Sequence, residues 1–306
     1  MAPSDDPGNP GNSETDSTTA SAPVPVLDGL HFGEGPRVRG DWLYFSDMHG
    51  HRVQRLNLRR LSDGDAAHAV LETVLELHAP CSGLGWLPNG DLLVVEMEAR
   101  RLLRYDGQSC TVHAELSGHA TFHCNDMVVD EHGRAWVGNF GFDLHGGAEP
   151  ATAELCRVDP DGSVDVVARD LMFPNGTVIT PDGSTLIVAE SFANRLTAFQ
   201  ITADGSLAHR ALWASLPDGA APDGICLDAG LGVWVASPTT NECLRIQHSG
   251  TVTHRIATDR GAFACMLAET TLYVLTAAAS DPDTCARERT GQIVALPAPY
   301  PRVGWP

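Results

Sequence analysis

The stretch FPNGTVITPDGSTLIVAE, residues 173–190, contains a short polar motif, a turn and a strand in succession. Two near-identical triplets sit in it, Pro174-Asn175-Gly176 and Pro181-Asp182-Gly183. Both read as turns, because Asn and Asp tolerate left-handed backbone, Gly supplies positive φ and Pro presets the first turn dihedral. The strand LIVAE (186–190) has five counterparts: LYFSD (43–47), LLVVE (92–96), AWVGN (135–139), VWVAS (233–237) and LYVLT (272–276). All are rich in the branched and aromatic residues that strands favour. Each is followed by a strand of polar alternation, such as HRVQRLNL (51–58) or NRLTAFQ (194–200). Each is preceded by a small or polar pair: Glu34-Gly35, Ser82-Gly83, Asn125-Asp126, Asn175-Gly176, Asp223-Gly224 and Ala264-Cys265. These pairs are 48, 43, 50, 48 and 41 residues apart. A period of about 40 to 50 residues with four strands per unit marks a β-propeller blade.

A weaker fourth strand closes five units: AVLETVLEL (69–77), CTVHAEL (110–116), SVDVVARDL (163–171), HRALWASL (209–216) and VTHRIAT (252–258). The sixth has none after GQIVAL (291–296), yet VPVLDGLHFGEGP (24–36) matches VDVVARDLMFPNG (164–176) in pattern. Residues 24–30 are therefore expected to supply the last strand of blade six, removing an exposed sheet edge. The expected fold is all-β: a six-bladed propeller of four-stranded antiparallel blades over residues 23–306, after an acidic tail at 1–22 too polar to order itself.

The repeat separates the two triplets. Strands alternate direction within a blade, so the start of the inner strand and the hairpin after it lie on opposite faces. Asp182 belongs to the hairpin, with turn counterparts at Asn89-Gly90, Glu131-His132-Gly133 and Ala229-Gly230. Asn175 falls where six inner strands converge at a channel mouth, with Glu34, Ser82, Asn125, Asp223 and Ala264. Four of those six residues bring oxygen ligands, with no thiolate or imidazole in register. Hard oxygens suit calcium, magnesium or manganese better than zinc or copper. The ends of the second strands, Asp47, Glu96, Asn139, Glu190, Ser237 and Thr276, are expected around that ring as groups orienting the ligands. Asn139 and Glu190 are also expected to touch substrate.

Composition narrows the function. Net charge is −19, and all 20 basic residues are Arg. So acidic a surface disfavours nucleic acid. Without Lys, Schiff-base chemistry and a Walker phosphate loop are excluded. The eight Cys show no Cys-x-x-Cys pairing, which fits free buried thiols in a reducing compartment. No segment reaches the length of a membrane span, and the tail does not resemble a signal peptide; a cytoplasmic protein is expected. There is no Gly-x-Ser-x-Gly elbow and no Rossmann glycine pattern.

GEGPRVRGDWLYFSD (33–47), FHCNDMVVDEHGRAWVGNFGFD (122–143), FPNGTVITPDGSTLIVAES (173–191), APDGICLDAGLGVWVAS (221–237) and AFACMLAETTLYV (262–274) carry a resemblance. Together they resemble the gluconolactonase, regucalcin (senescence marker protein) and luciferin-regenerating enzyme family, and more distantly diisopropylfluorophosphatase and the paraoxonases. The resemblance implies one divalent metal, calcium first and magnesium, manganese or zinc as alternatives, held by Glu34, Asn175 and Asp223. It also implies that Asn125 contacts substrate in the gluconolactonase branch and ligates calcium in the phosphatase branch, and that Asp223 is the candidate base. The expected activity is hydrolysis of a small-molecule lactone or related ester. The alternatives are phosphotriester hydrolysis and a non-catalytic calcium-binding regulatory propeller; oligomeric state stays open. Sugar lactonases carry Arg two residues before the substrate-binding Asn, where this chain has His123. With Phe140 and Phe142 in the following segment, His123 points toward a more apolar ester or lactone.

Overall fold

The computed structural model describes residues 22–306, so the acidic tail expected at the N-terminus lies, but for its last residue, outside the described residues. Strand β1 (Val24–Leu30) precedes the first full blade, which is β2 (Gly33–Arg39), β3 (Trp42–Asp47), β4 (Arg52–Asn57) and β5 (Leu71–Glu76). Blade two is β6 (Cys81–Trp86), β7 (Leu92–Glu96), β8 (Arg101–Tyr105) and β9 (Cys110–Glu115). Blade three is β10 (Cys124–Val129), β11 (Ala135–Asn139), β12 (Ala153–Val158) and β13 (Val164–Leu171). Blade four is β14 (Pro174–Ile179), β15 (Thr185–Glu190), β16 (Arg195–Ile201) and β17 (Leu207–Ser215). Blade five is β18 (Ile225–Leu227), β19 (Val233–Ser237), β20 (Glu242–Ile246) and β21 (Val252–Ala257). Blade six is β22 (Gly261–Ala268), β23 (Thr271–Ala277) and β24 (Gly291–Pro297), and β1 completes it. Six four-stranded antiparallel sheets result, as the repeat requires.

The closure follows the sequence similarity that suggested it. Val24 pairs with Ala295 and Leu30 with Gly291, and Leu27 and Leu30 are each 2% exposed in the core between blades six and one. Fully burying one such side chain is worth about 1.5–3 kcal/mol. Deleting residues 22–30 should therefore cost roughly 3–6 kcal/mol and leave β24 as a bare edge open to edge-to-edge pairing. Thermal unfolding with light scattering would register both the lower midpoint and the aggregation.

The hairpin reading of Asp182 holds. Gly183 has φ of 69°, its N–H bonds the Thr180 carbonyl, and Asp182 accepts from Thr180 Oγ1 at 2.6 Å and Ser184 N at 3.1 Å. Blade five shows a stronger version of the same local logic. There Asp228, ending the inner strand, accepts from Gly230 N, Gly232 N, Trp234 Nε1 and the Arg245 guanidinium.

Two features lie outside the sixfold pattern. Helix α1 (Leu58–Ser62) follows β4, and α2 (Pro282–Glu288) interrupts blade six between β23 and β24. Asp281 caps α2 by accepting from Thr284 N at 2.9 Å, with Pro282 in the first turn. The segment after β24 crosses the hairpin face beneath the channel. It bonds Glu269 O through Arg302 N, Leu227 O through Val303 N and Ile179 in both directions through Trp305, tying blades six, five and four together. The far end of the channel is thus bridged by backbone, and the mouth lies at the other end.

Candidate functional site at the channel mouth

Six inner strands reach the mouth, and their backbones crowd one another at the level of the ring. Gly176 N–H donates to Asp223 O at 3.2 Å, and Gly224 N–H to Phe263 O at 2.8 Å. A Cβ on Gly176 would lie 2.4 Å from Asp223 O, and one on Gly83 2.5 Å from Met127 N. Gly therefore follows the ring residue in four blades because neighbouring strands leave no room for a side chain. The ladders also break here. Register shifts fall between Glu34 and Arg37, Cys81 and Leu84, Cys124 and Met127, Pro174 and Thr177, and Ala262 and Ala264. In blade five the ladder begins only at Ile225, after Asp223. Such irregularities re-aim side chains out of the two-faced alternation of a strand.

The expected ring is brought together. Glu34, Asn125 and Asn175 are 5%, 4% and 5% exposed, Ser82 is fully buried, and Asp223 keeps part of its surface open toward the mouth. Burial pushes the Glu34 carboxyl well above its usual range, and the charges of Asp223 and Asp126 push it further. Asp223 is raised in the same way, by burial first and then by Asp126. Asp223 Oδ1 and Asn125 Nδ2 have no hydrogen-bond partner among the described residues, although both are buried. Buried polar atoms are nearly always paired, so two orphans aimed into one ring mark a place for a ligand.

Directly below, Arg37 and Asp126 form a buried ion pair at 2.8 Å. The guanidinium also donates to Leu84 O, Pro36 O and Met127 O, stitching three blades around the channel. Burial raises the Asp126 pKa, and Arg37 opposes it. One guanidinium thus stands among three carboxyl groups, Asp126, Glu34 and Asp223, whose mutual repulsion a bound cation would relieve. Two carboxylates and two amides, with one carboxylate oxygen unpaired, can supply the oxygens that a divalent cation such as calcium prefers. No cluster of three or more His, Cys, Asp or Glu suited to a metal occurs among the described residues, consistent with a ring half made of Asn.

The outer polar ring includes Asn139 and Glu190. Glu190 is fully buried, and its oxygens accept from Arg195 Nε at 2.8 Å, Arg195 Nη2 at 3.0 Å, Met172 N at 2.8 Å and Thr197 Oγ1. Asn139 accepts from Phe122 N and Gly141 N and donates to Glu154 O at 2.9 Å. Every side-chain polar atom of the two already has a partner within the protein, so both hold backbone in place beside the ring. Asp47 and Ser237 behave alike, accepting from Phe32 N at 2.9 Å and Ala221 N at 3.2 Å. In four blades, then, the end of the second strand holds the backbone just ahead of the ring residue. Arg52, the cross-strand neighbour of Asp47, donates to it at 2.8 Å, as Arg195 does to Glu190.

Ser191 was not foreseen. Its hydroxyl accepts from Asn175 Nδ2 at 3.2 Å and donates to Pro222 O at 2.6 Å, linking the two neighbouring ring residues Asn175 and Asp223 through one atom. Only its place directly after LIVAE could have hinted at this.

His123 stacks on Phe122 at 4.1 Å and lies 6.1 Å from Phe140, and burial lowers its pKa. Phe140 in turn stacks on Phe173 at 4.4 Å. All eight Cys are free, seven of them buried, and burial pushes Cys81 and Cys156 up to about 12.

Residues 32–278 match the model of the SMP-30/gluconolactonase/LRE-like region. The chain belongs to that family. It is 29% identical to a 6-deoxy-6-sulfogluconolactonase of Pseudomonas putida, over 73% of this chain and 74% of that protein. Among solved structures, a Xanthomonas campestris gluconolactonase superposes with a TM-score of 0.68 at 25% identity, covering 92% of this chain and 99% of that one. A calcium-binding regucalcin from Agrobacterium tumefaciens gives 0.73 at 20% identity, over 93% and 97%, and supports the fold. The resemblance read from the sequence is thereby established. No helix among the described residues is long and apolar enough to cross a membrane.

Proposed function

We propose that this protein is a metal-dependent lactonase, with Glu34, Asn125, Asn175 and Asp223 holding one divalent ion at the channel mouth. The unpaired, buried Asp223 Oδ1 supports this reading most directly, and the unpaired Asn125 Nδ2 leaves a donor for a substrate oxygen. Membership of a family whose relatives include named lactonases supports the reaction class. Calcium is the preferred ion because the donors are all oxygens and a regucalcin of the same fold binds it, with magnesium, manganese and zinc behind it.

A bound divalent ion would supply Lewis acidity, polarising the ester carbonyl and stabilising charge on its oxygen. The chain's own residues do the rest. Asp223 accepts a proton from the attacking water through its unpaired carboxylate oxygen. The Asn125 amide donates to a substrate oxygen and fixes its position. Water oxygen bonds to the acyl carbon, the ring C–O bond breaks, and the proton taken by Asp223 passes to the departing alkoxide, giving a hydroxy acid. Ser191, Asp47 and Ser237 hold the strand starts that carry the ring.

Three expected results follow. A lactone panel assayed beside a phosphotriester should show turnover of lactones that EDTA abolishes and calcium restores. Turnover of the phosphotriester alone would instead indicate phosphatase chemistry, and a calcium-dependent melting point with no turnover a regulatory propeller. Glu34→Gln should raise the calcium concentration needed for half-maximal rate, with much of the rate recovered in excess calcium. Ser191→Ala should weaken metal affinity by about 10–100-fold, the usual effect of removing a group that orients a ligand. Calcium titration of the variant would measure it, and an unchanged affinity would remove Ser191 from the site.

A further inference from the structure

A second layer of side chains stands on the ring. Two residues before each ring position lie Phe32, Pro80, His123, Phe173, Ala221 and Ala262, with no Lys, Arg, Asp or Glu among them. The layer widens into a wall over blades three and four. Phe140 stacks on Phe173 at 4.4 Å, and Phe142 meets Phe173 at 5.8 Å and Phe192 at 5.1 Å, both edge-on. On the blade-one side Phe32 meets Phe263 at 4.6 Å. Phe32, Met48, Met97, Phe140 and Phe173 belong to one continuous apolar cluster that runs from blade to blade around the mouth.

Two observations separate this wall from ordinary packing. Phe173 has φ of 60°, a left-handed conformation that a bulky side chain adopts only under strain and that Gly would take freely. Strained backbone of this kind gathers at ligand sites, because the surrounding structure must keep a particular side chain in place. Phe192, next to Ser191, is 44% exposed although it caps the aromatic stack, leaving an apolar face open to solvent at the rim.

We infer that the substrate is an uncharged lactone or ester bearing an alkyl or aryl substituent, which packs on Phe173, Phe140 and Phe192 while its carbonyl meets the ring below. This rests on the lactonase reading above and names the substrate class within it. A polyhydroxylated substituent would surrender its water hydrogen bonds to a wall of ring faces. An anionic one would meet a chain of net charge −19, and none of the six residues of that layer is Lys or Arg.

The test uses the full-length protein with calcium, and compares kcat/KM for γ-butyrolactone, γ-nonalactone, dihydrocoumarin and glucono-δ-lactone. A fully buried methylene contributes about fourfold, so burial of even two makes γ-nonalactone better than γ-butyrolactone by about tenfold or more. Dihydrocoumarin should likewise exceed glucono-δ-lactone by at least tenfold. Phe140→Leu, and independently the rim variant Phe192→Ala, should reduce the γ-nonalactone to γ-butyrolactone ratio about fivefold. The inference is overturned if glucono-δ-lactone is the better substrate, if chain length has no effect, or if both variants leave the ratio unmoved. Turnover of the sugar lactone alone would overturn this inference and leave the lactonase reading standing. No turnover of any lactone with calcium, magnesium, manganese or zinc would overturn both.

Discussion

Asp223→Ala should lower lactone turnover by at least 10³-fold. General-base assistance contributes about 10²–10⁴ in rate, and the same carboxylate is one of only two charged oxygen donors in the ring. The loss should persist at saturating calcium, because restoring the ion does not restore the proton acceptor. That separates it from Glu34→Gln, where excess calcium recovers rate. Asp223→Asn sharpens the comparison, since it keeps the shape and one oxygen donor but cannot take the proton. It should bind calcium more weakly and remain nearly inactive even when loaded. The variants should not be poorly folded. Asp223 lies ahead of β18, its Oδ1 makes no hydrogen bond, and its carboxyl is raised by burial and by the Asp126 charge. Removing a buried, mutually repelled carboxylate relieves a cost, so the melting point of the metal-free variant should be equal to or above that of the metal-free parent. Steady-state kinetics across a calcium series, with differential scanning fluorimetry in EDTA, would measure both effects. Retention of most of the activity by Asp223→Ala would remove it as the base.

The largest effect of a single substitution on stability is expected far from the mouth, at Asp228→Ala. Asp228 is fully buried, and Arg245 binds it through Nε at 2.6 Å and Nη2 at 2.8 Å, with Trp234 Nε1 at 3.0 Å. The Arg245 side chain is 2% exposed and lies against the Tyr300 ring at 4.8 Å, so it has no route to water. Removing one partner of such a pair strands the other charge and costs about 3–5 kcal/mol. Out of a typical total of about 5–15 kcal/mol, that is a large share. Urea unfolding should show the midpoint falling with an unchanged slope. The double variant Asp228→Leu, Arg245→Met should recover much of the loss, because it removes the stranded charge as well. A single-variant cost below about 1 kcal/mol would mean that water reaches Arg245.

Much of this architecture was legible before any coordinates. LIVAE and its five relatives are short, branched and evenly spaced, and a propeller is what such units build when each buries both faces against its neighbours. The closure by residues 24–30 was visible because a fourth strand leads into a ring motif in the same way at both places. Asn175 could be told from Asp182 by strand direction alone. What escaped has a common physical origin. The breaks in ladder register beside the ring residues depend on how six strands crowd at one radius, and no single strand records that. Asn139 and Glu190 end their second strands as expected, but their partners could not be counted without Phe122 N, Met172 N and Arg195 beside them. Ser191 acts on Asn175 and Pro222, which lie in different blades. The C-terminal segment that bridges blades six, five and four carries no strand pattern, because it pairs through isolated residues such as Trp305 with Ile179. Helix α2 did carry a signal, in Asp281 ahead of Pro282, that a search for strands passes over.

The central claim is that one divalent ion in the ring of Glu34, Asn125, Asn175 and Asp223 makes this propeller a lactonase. Metal-stripped protein should be titrated with calcium while heat of binding and γ-nonalactone hydrolysis are followed on the same sample. The account predicts one ion per chain, activity rising in proportion to occupancy, and in Asp223→Asn a weakened binding signal with hydrolysis nearly lost. Full turnover by the metal-stripped protein, or calcium binding that Asp223→Asn leaves unchanged, would contradict it.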